Sequence, residues 1–403
     1  MRSLQTITAP KMRRINRSAI LDLIYRQGPL APSAISKGLG VSLPTVARIL
    51  DSLVTEGLVI QTGRKESSGN RHRSQISFNG SDHLTIGIDL GGTKMYGAVA
   101  DLDGKILHEE NITHHQTSGE DSYQRISSLI HNLLTYARGT AKKIQGIGIG
   151  APGITLYEEG VVQWAPSLGW RNFPLKNRLM LDFNLPAVVE NDVNLAALGE
   201  TWFGAGRATY LNQSRHTLVV IAIGTGIGSG IVIDGEIYRG SHQAAGEIGY
   251  LIPDRLSLDR NYEGFGAFEQ LASGLGIAER ASKLLEGKLP PSQRKKLTAQ
   301  AVFNAARKQE TWASQVVAET VDYLAQAIAA VSLCLDPDQI VLSGGVANSS
   351  DLLIDPILDR LTGVIPILPS LIPSSLGYRA GVLGAVILLL HNTLDYYAVH
   401  KLS

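Results

Sequence analysis

A chain of 403 residues is longer than one typical compact domain and reads as two or three. With 44% hydrophobic and 18% charged residues it is no disordered or collagenous chain, and its one cysteine excludes a disulfide framework and suggests a reducing compartment. The net charge of +1 hides an asymmetry, because residues 1–80 hold 12 Lys+Arg against four Asp+Glu, which leaves the remainder acidic. A short basic head on a long acidic body suggests that the head meets a polyanion. The opening MRSLQTITAP has no apolar core of a secretory signal. The longest apolar run, AGVLGAVILLL (380–390), is about half the roughly 20 residues of a membrane span. It is expected as a buried helix, and the protein as cytoplasmic with no membrane partner.

In RRINRSAILDLIYRQG (13–28), Ile15, Ala19, Ile20, Leu23 and Ile24 recur at helical spacing, and Gly28 ends the run. PSAISKGLG (32–40) predicts a short second helix with Ala34, Ile35 and Leu39 inward and a sharp turn at Gly40. Ser42 is placed to cap a third helix, with Pro44 tolerated in its first turn. Val46, Ile49, Leu50 and Leu53 form its buried stripe and leave Ser42, Leu43, Thr45 and Arg48 outside near its start. Two helices joined by a tight glycine turn, the second with short polar residues at its exposed beginning, form a helix-turn-helix whose second helix enters the major groove. LVIQTG (58–63) and RSQISFN (73–79) then read as two strands of a wing, joined by the basic loop RKESSGNRHR (64–73). Arg71 and Arg73 in that loop suit either a narrow minor groove or the phosphates beside it.

The body starts with LTIGIDLGGTKMYGAVAD (84–101), where Leu84, Ile86, Ile88 and Leu90 share one face of a strand and Gly87 and Asp89 the other. Gly91 and Gly92 make a turn that phosphates can approach closely, with Thr93 and Lys94 as donors. No helix opens there, so this is neither a Walker motif nor a dinucleotide fingerprint. A carboxylate just before the turn, Asp89, suits Mg2+ beside the phosphates. A second strand-to-glycine turn follows at Gly224-Thr225-Gly226, and a third, expected to lead into a helix, at Gly344-Gly345. Such turns in both halves of the body suggest a duplicated α/β fold with a cleft between lobes.

These motifs together resemble the ROK family of repressors and sugar kinases, over about residues 84–393. The resemblance rests on GIDLGGTK (87–94), GIGAPG (148–153), PSLGW (166–170), VVENDVNLAALGE (188–200), the long segment IAIGTGIGSGIVIDGEIYRGSHQAAGEIG (221–249) and IVLSGGV (340–346). It implies an α/β chain with a winged helix-turn-helix over 1–80, followed by a two-lobed actin/hexokinase-like ATPase (ribonuclease H-like) fold. The first lobe would run over 84–193 and the second over 194–403, with a C-terminal helix returning to the first. By the same resemblance Asn191 and Asp192 would bind the sugar, with Asp192 taking the hydroxyl proton. Glu247, Glu269 and Tyr250 would line the rest of the sugar site. Asp89, Gly91, Gly92, Thr93, Lys94, Thr225, Gly226, Gly344 and Gly345 would line Mg-ATP. Asn191 also reads as a helix N-cap, and both roles can coexist.

One departure is large. The family follows the stretch matching GEIG with histidine and a cysteine-rich loop that hold a structural zinc, whereas here Tyr250 and the cysteine-free LIPDRLSLDRNYEGFGAF (251–268) occupy those places. No zinc is expected, and the positioning of Glu247 and Glu269 is thereby put in question. The leading reading is a sugar-responsive repressor, a homodimer or dimer of dimers on an inverted-repeat operator, answering to a sugar or sugar phosphate. The alternative is an active ATP-dependent sugar kinase, alone or bifunctional. A third reading has the body receiving a protein partner.

Overall fold

The computed structural model describes residues 9–62, 75–92, 94–113, 118–213, 215–258, 262 and 266–393. Thr93 and the wing-loop residues Arg71 and Arg73 lie outside the described residues.

The head is three helices and a two-stranded sheet: α1 (Ala9–Gln27), α2 (Pro32–Leu39), α3 (Leu43–Thr55), β1 (Val59–Thr62) and β2 (Gln75–Phe78). Gly40 ends α2 with φ +66°, the left-handed turn the sequence required. Val46, Ile49, Leu50 and Leu53 are buried as expected. Ala34 is not, since its small side chain lies on the solvent side of α2 while Ile35 fills the core. Ser42 occupies the N-cap position of α3 but makes no cap bond to the backbone; its Oγ pairs instead with Thr45 Oγ1 at 2.9 Å. β1 and β2 run antiparallel from Val59↔Phe78 to Thr62↔Gln75, and Leu30 bridges to Ile76 beside them.

The first lobe comprises β3 (His83–Leu90), β4 (Lys94–Asp101), β5 (Ile106–Thr113), α4 (Gly119–Arg138), β6 (Lys143–Ala151), a small sheet of β7 (Ile154–Leu156), β8 (Val161–Ala165) and β9 (Trp170–Phe173), then α5 (Leu175–Phe183) and β10 (Ala187–Asn191). After α6 (Asp192–Trp202) and α7 (Arg207–Asn212) come β11 (Thr217–Ile223), β12 (Ile227–Ile233), β13 (Glu236–Ile237) and α8 (Glu269–Ala272). The chain continues through α9 (Gly274–Leu284), α10 (Pro291–Arg294), α11 (Ala299–Arg307), α12 (Thr311–Leu335), β14 (Gln339–Ser343), α13 (Ile354–Leu361), β15 (Leu371–Pro373) and α14 (Ala380–Thr393). The two large sheets have strand orders β10-β6-β3-β4-β5 and β15-β14-β11-β12-β13. In each, an antiparallel meander is extended on one side by two parallel strands, so one topology occurs twice. After Gly344-Gly345 the chain does not enter an α-helix directly; a run of tighter 3₁₀ turns, Val346–Leu352, comes first.

Two helices join the lobes. α14, wholly apolar at its centre, covers the first sheet, and α6 covers the second. They cross each other so closely that a Cβ on Gly384 would lie 1.8 Å from the Leu195 carbonyl oxygen, and one on Gly199 would lie 2.1 Å from that of Ala380. α12 is the one helix, among the described residues, apolar and long enough to cross a membrane; its Val316, Val321, Leu324 and Ile328 are buried in the core of the second lobe. The head is not a separate bead. A single apolar cluster runs from Ile20, Leu21 and Ile24 of α1 through Trp202 and Tyr210 to Leu389 and Leu390 of α14. Gly384→Ala should lower the free energy of unfolding by about 1–3 kcal/mol, because the methyl group has no room at the crossing. Urea denaturation measures this, and an unchanged midpoint would show that the crossing loosens freely.

Candidate functional site

Asp89 and Asp192 meet because of strand order. β6 lies between β3 and β10, and Gly150 on β6 pairs with Asp89 on one side and Glu190 on the other. Gly150 lacks a side chain where one would lie 3.1 Å from Asp192 Cα. Asp89 packs against the start of α14, where a Cβ at Gly381 would come within 3.1 Å of its carboxyl carbon. Asn191 caps α6: its Oδ1 accepts the amides of Val193 at 2.9 Å and Asn194 at 3.0 Å, while its Nδ2 donates to the Gly153 carbonyl at 3.1 Å. The first backbone turn of α6 also places the Val193 N–H 3.0 Å from Asp192 Oδ1.

Crowding and partial burial favour the protonated forms of these carboxyls. Burial, then the charges of Asp89 and Glu247, pushes the Asp192 carboxyl up to about 8 against the bonding from Val193. Burial alone raises Asp89 to about 7. Glu247 is raised by burial and then by Glu269. Glu269 is raised by burial, opposed by two amides that donate to it, Ile227 N–H at 2.7 Å and Gly266 N–H at 3.3 Å. Tyr250, half exposed at the rim, is raised by burial and by both glutamates. These five candidates therefore form one electrostatic neighbourhood.

The glycine turns lie at the carboxyl ends of β3, β11 and β14. Gly91 N–H closes the first by donating to the Lys94 carbonyl at 2.9 Å, and Lys94 is exposed beside it. Gly224 N–H donates to the Gly226 carbonyl at 2.9 Å, while Gly274 N–H donates to the Gly224 carbonyl at 2.8 Å. Thr225 is exposed on that turn. Gly344 has φ +85° and lies against Ile223, whereas the space where side chains would stand at Gly224 and Gly345 is open. Open backbone of this kind fits a phosphorylated ligand. Among the described residues, no three or more His, Cys, Asp or Glu side chains are grouped to hold a metal ion.

Sequence reading missed a buried pair directly beneath the site. Glu190, almost fully buried, accepts Arg239 Nε at 2.7 Å and uses its other oxygen for the Asn191 amide at 2.9 Å and Asn194 Nδ2 at 3.0 Å. The Arg239 guanidinium also lies 3.8 Å from the Tyr157 ring centroid. Arg239 thus ties the loop that carries Glu247 to the strand that carries Asn191. The available signal was an acid inside the apolar run VVEN. Glu200, with no exposed surface, was missed as well; it accepts from Ser374 Oγ at 2.5 Å, the Leu376 amide at 3.1 Å and the Ala205 amide at 2.8 Å, fixing the approach to α14.

On the head, Ser42, Leu43 and Arg48 are exposed at the start of α3 and Thr45 is half-buried. Arg17 of α1 is held by Glu56 at 2.6 Å, and Arg48, the one basic residue of α3, is exposed near its start.

The profile of the ROK family matches residues 85–392, and that of the MarR family residues 15–67. A glucokinase of Halalkalibacterium halodurans is 35% identical over 319 residues, 75% of this chain and 94% of that protein. A xylose repressor of Bacillus spizizenii is 27% identical over 388 residues, covering 95% of this chain and 97% of its own. The crystal structure of a ROK family transcriptional regulator, a homologue of the E. coli MLC protein, superposes with a TM-score of 0.83 at 23% identity, over 96% of this chain and 98% of that one.

The raised carboxyls give a signed pH dependence. Asp192 titrates at 3.8 when unfolded and near 8 when folded, so stability falls as pH climbs between those values and levels off above them. In buffer without sugar or nucleotide, Asp192→Asn should therefore match the parent at pH 4 and exceed it at pH 8 by about 1–3 kcal/mol. Thermal unfolding across pH 4–9 reads this. Parallel curves for the two proteins would mean that Asp192 is ionised at neutral pH.

Proposed function

The chain belongs to the ROK family, and from that premise we propose that it is a sugar-responsive transcriptional repressor of the cytoplasm. It would bind an inverted-repeat operator as a dimer and answer to a sugar or sugar phosphate in the cleft. The observation that carries this reading is the shared core: the DNA-reading head and the two site-bearing helices belong to one apolar cluster. A relative named as a repressor aligns through head and body, whereas the one named as a glucokinase aligns over three-quarters of the chain. Asn191, Asp192, Glu247 and Glu269 would bind sugar hydroxyls, since short bonds to carboxylates suit polyols, with Tyr250 at the rim. Ser42, Leu43, Thr45 and Arg48 would read the major groove, with Arg71 and Arg73 in the wing.

A second reading, sugar phosphorylation, is favoured by Asp192, a carboxylate with a raised proton affinity beside the sugar positions. Asp89, Gly91, Gly92, Thr93, Lys94, Thr225, Gly226, Gly344 and Gly345 are the residues that would hold Mg-ATP, whose chemistry there is phosphoryl donation. Asp192 would then accept the proton of the attacking hydroxyl.

Measuring operator release and ADP formation on the same samples separates the readings. For a sensor, sugar releases operator without ADP, and Asp192→Asn raises the sugar concentration required by about tenfold or more, the worth of a charged hydrogen bond. Robust sugar-dependent ADP formation, abolished in the variant while DNA release stays put, would instead establish the kinase.

The head has its own test. Arg48→Ala should weaken operator binding by about 1–3 kcal/mol with a smaller effect on random DNA, measured by fluorescence anisotropy. Equal losses on both would assign Arg48 to phosphate.

A further inference from the structure

Arg26, near the end of α1, crosses from the head into the body. Its Nε donates to Asp22 Oδ1 at 2.8 Å on the same helix, and its Nη2 donates to the Tyr210 hydroxyl. The guanidinium lies 4.1 Å from the Tyr210 ring centroid and 5.8 Å from that of Trp202. Both aromatic rings are almost fully buried, at 3% and 2% exposure. Tyr25, the preceding residue, packs its ring 5.6 Å from Trp202 and 5.1 Å from Phe78 of the wing. The body side of this cage is Trp202 from the end of α6, Tyr210 from α7 and, 5.6 Å behind Trp202, His391 from the end of α14.

The other ends of the two long helices are in the cleft. α6 begins at Asp192 under its Asn191 cap and, at 11 residues, carries its last residue, Trp202, about 15 Å away. α14 begins beside Asp89 and carries His391 and Asn392 in its last turn. Asn392 Nδ2 donates to Tyr157 Oη at 2.6 Å, and Tyr157 N–H donates to Gln243 Oε1 at 2.5 Å, on the loop that carries Glu247. The backbone contacts at Gly199 and Gly384 leave α6 and α14 no slack to move separately. Packed helices in such contact shift by sliding as units, which is how small displacements at a ligand reach a distant interface.

We propose that the Arg26 cage is the joint through which the sugar site sets the position of the DNA-reading head. Capture of a polyol by Asn191, Asp192 and Glu247 moves the α6–α14 pair, and the cage transmits that movement to α1. The proposal rests on the sensor reading given above. Its directional elements are the charge–aromatic contacts and the Arg26–Tyr210 bond; the surrounding apolar contacts hold the head on without fixing its angle.

The test uses the full chain and the sugar, from a panel of pentoses, hexoses and their phosphates, that releases operator from the unmodified protein. If none does so, the sensor reading falls and takes the proposal with it. Arg26→Gln and Tyr210→Phe are then compared for sugar binding by calorimetry and for operator affinity with and without that sugar. The expected result is sugar affinity within about twofold of the parent and retained operator binding. The sugar-dependent change in operator affinity should shrink at least about fivefold in Arg26→Gln, the lower end of ordinary allosteric coupling, and less in Tyr210→Phe. A full sugar response in Arg26→Gln overturns the proposal, as does a parallel loss of sugar affinity. Should Arg26→Gln not fold, Tyr210→Phe decides, since it removes a hydroxyl and keeps the ring.

Discussion

The close crossing of α6 and α14 is the constraint on which the rest of the molecule depends. Gly199 and Gly384 allow backbone to touch backbone there, and no other residue type fits either place. Because α6 covers the second sheet and α14 the first, the crossing joins the lobes. It also sets both helix beginnings in the cleft, one carrying Asp192 and the other flanking Asp89. Glu200 secures the arrangement from below by drawing Ser374 and Leu376 onto α6 just before α14 begins. Removing that carboxylate would leave several buried donors unsatisfied, each at a cost of about 1–3 kcal/mol.

The same geometry explains the electrostatics of the cleft. Burial raises the proton affinity of all four carboxyls, Asp192 to about 8 and Asp89 to about 7, so the site without ligand holds protons on these two near neutral pH. A ligand whose hydroxyls donate to these oxygens would favour their charged forms and so release protons on binding. Arg239 does not relieve the crowding directly, because its guanidinium is committed to Glu190 and the Tyr157 ring. Its effect is mechanical: it fixes the loop of Glu247 relative to Asn191.

Much of this architecture was legible in the sequence because it depends on short-range pattern. Alternation in IGIDL predicted β3 and the face of Asp89, and helical spacing in VARILDSL predicted the buried stripe of α3. The glycine turns were legible for the same reason, since backbone conformation is a local property. What escaped was long-range pairing. Arg26 with Tyr210, Glu190 with Arg239 and Glu200 with Ser374 join residues 49 to 184 positions apart, and no local signal names the partner. Two local readings failed through competition between neighbours. The Ser42 hydroxyl found Thr45 in place of the backbone, and Ala34 yielded the core to the larger Ile35.

The departure from the family at Tyr250 put the placement of Glu269 in question, and the structure supplies a local answer. Glu269 begins α8 and turns its carboxylate back onto the β11–β12 turn, where the Ile227 amide donates to it at 2.7 Å. Gly226 makes this possible, because a Cβ there would lie 1.9 Å from Glu269 Oε1. A second amide, Gly266, holds the other oxygen. Two backbone donors thus orient this carboxylate. The turn that presents Thr225 and the carboxylate of Glu269 are therefore one unit. A ligand that shifts Glu269 must also shift the turn, and occupancy of the turn must in the same way be felt at Glu269.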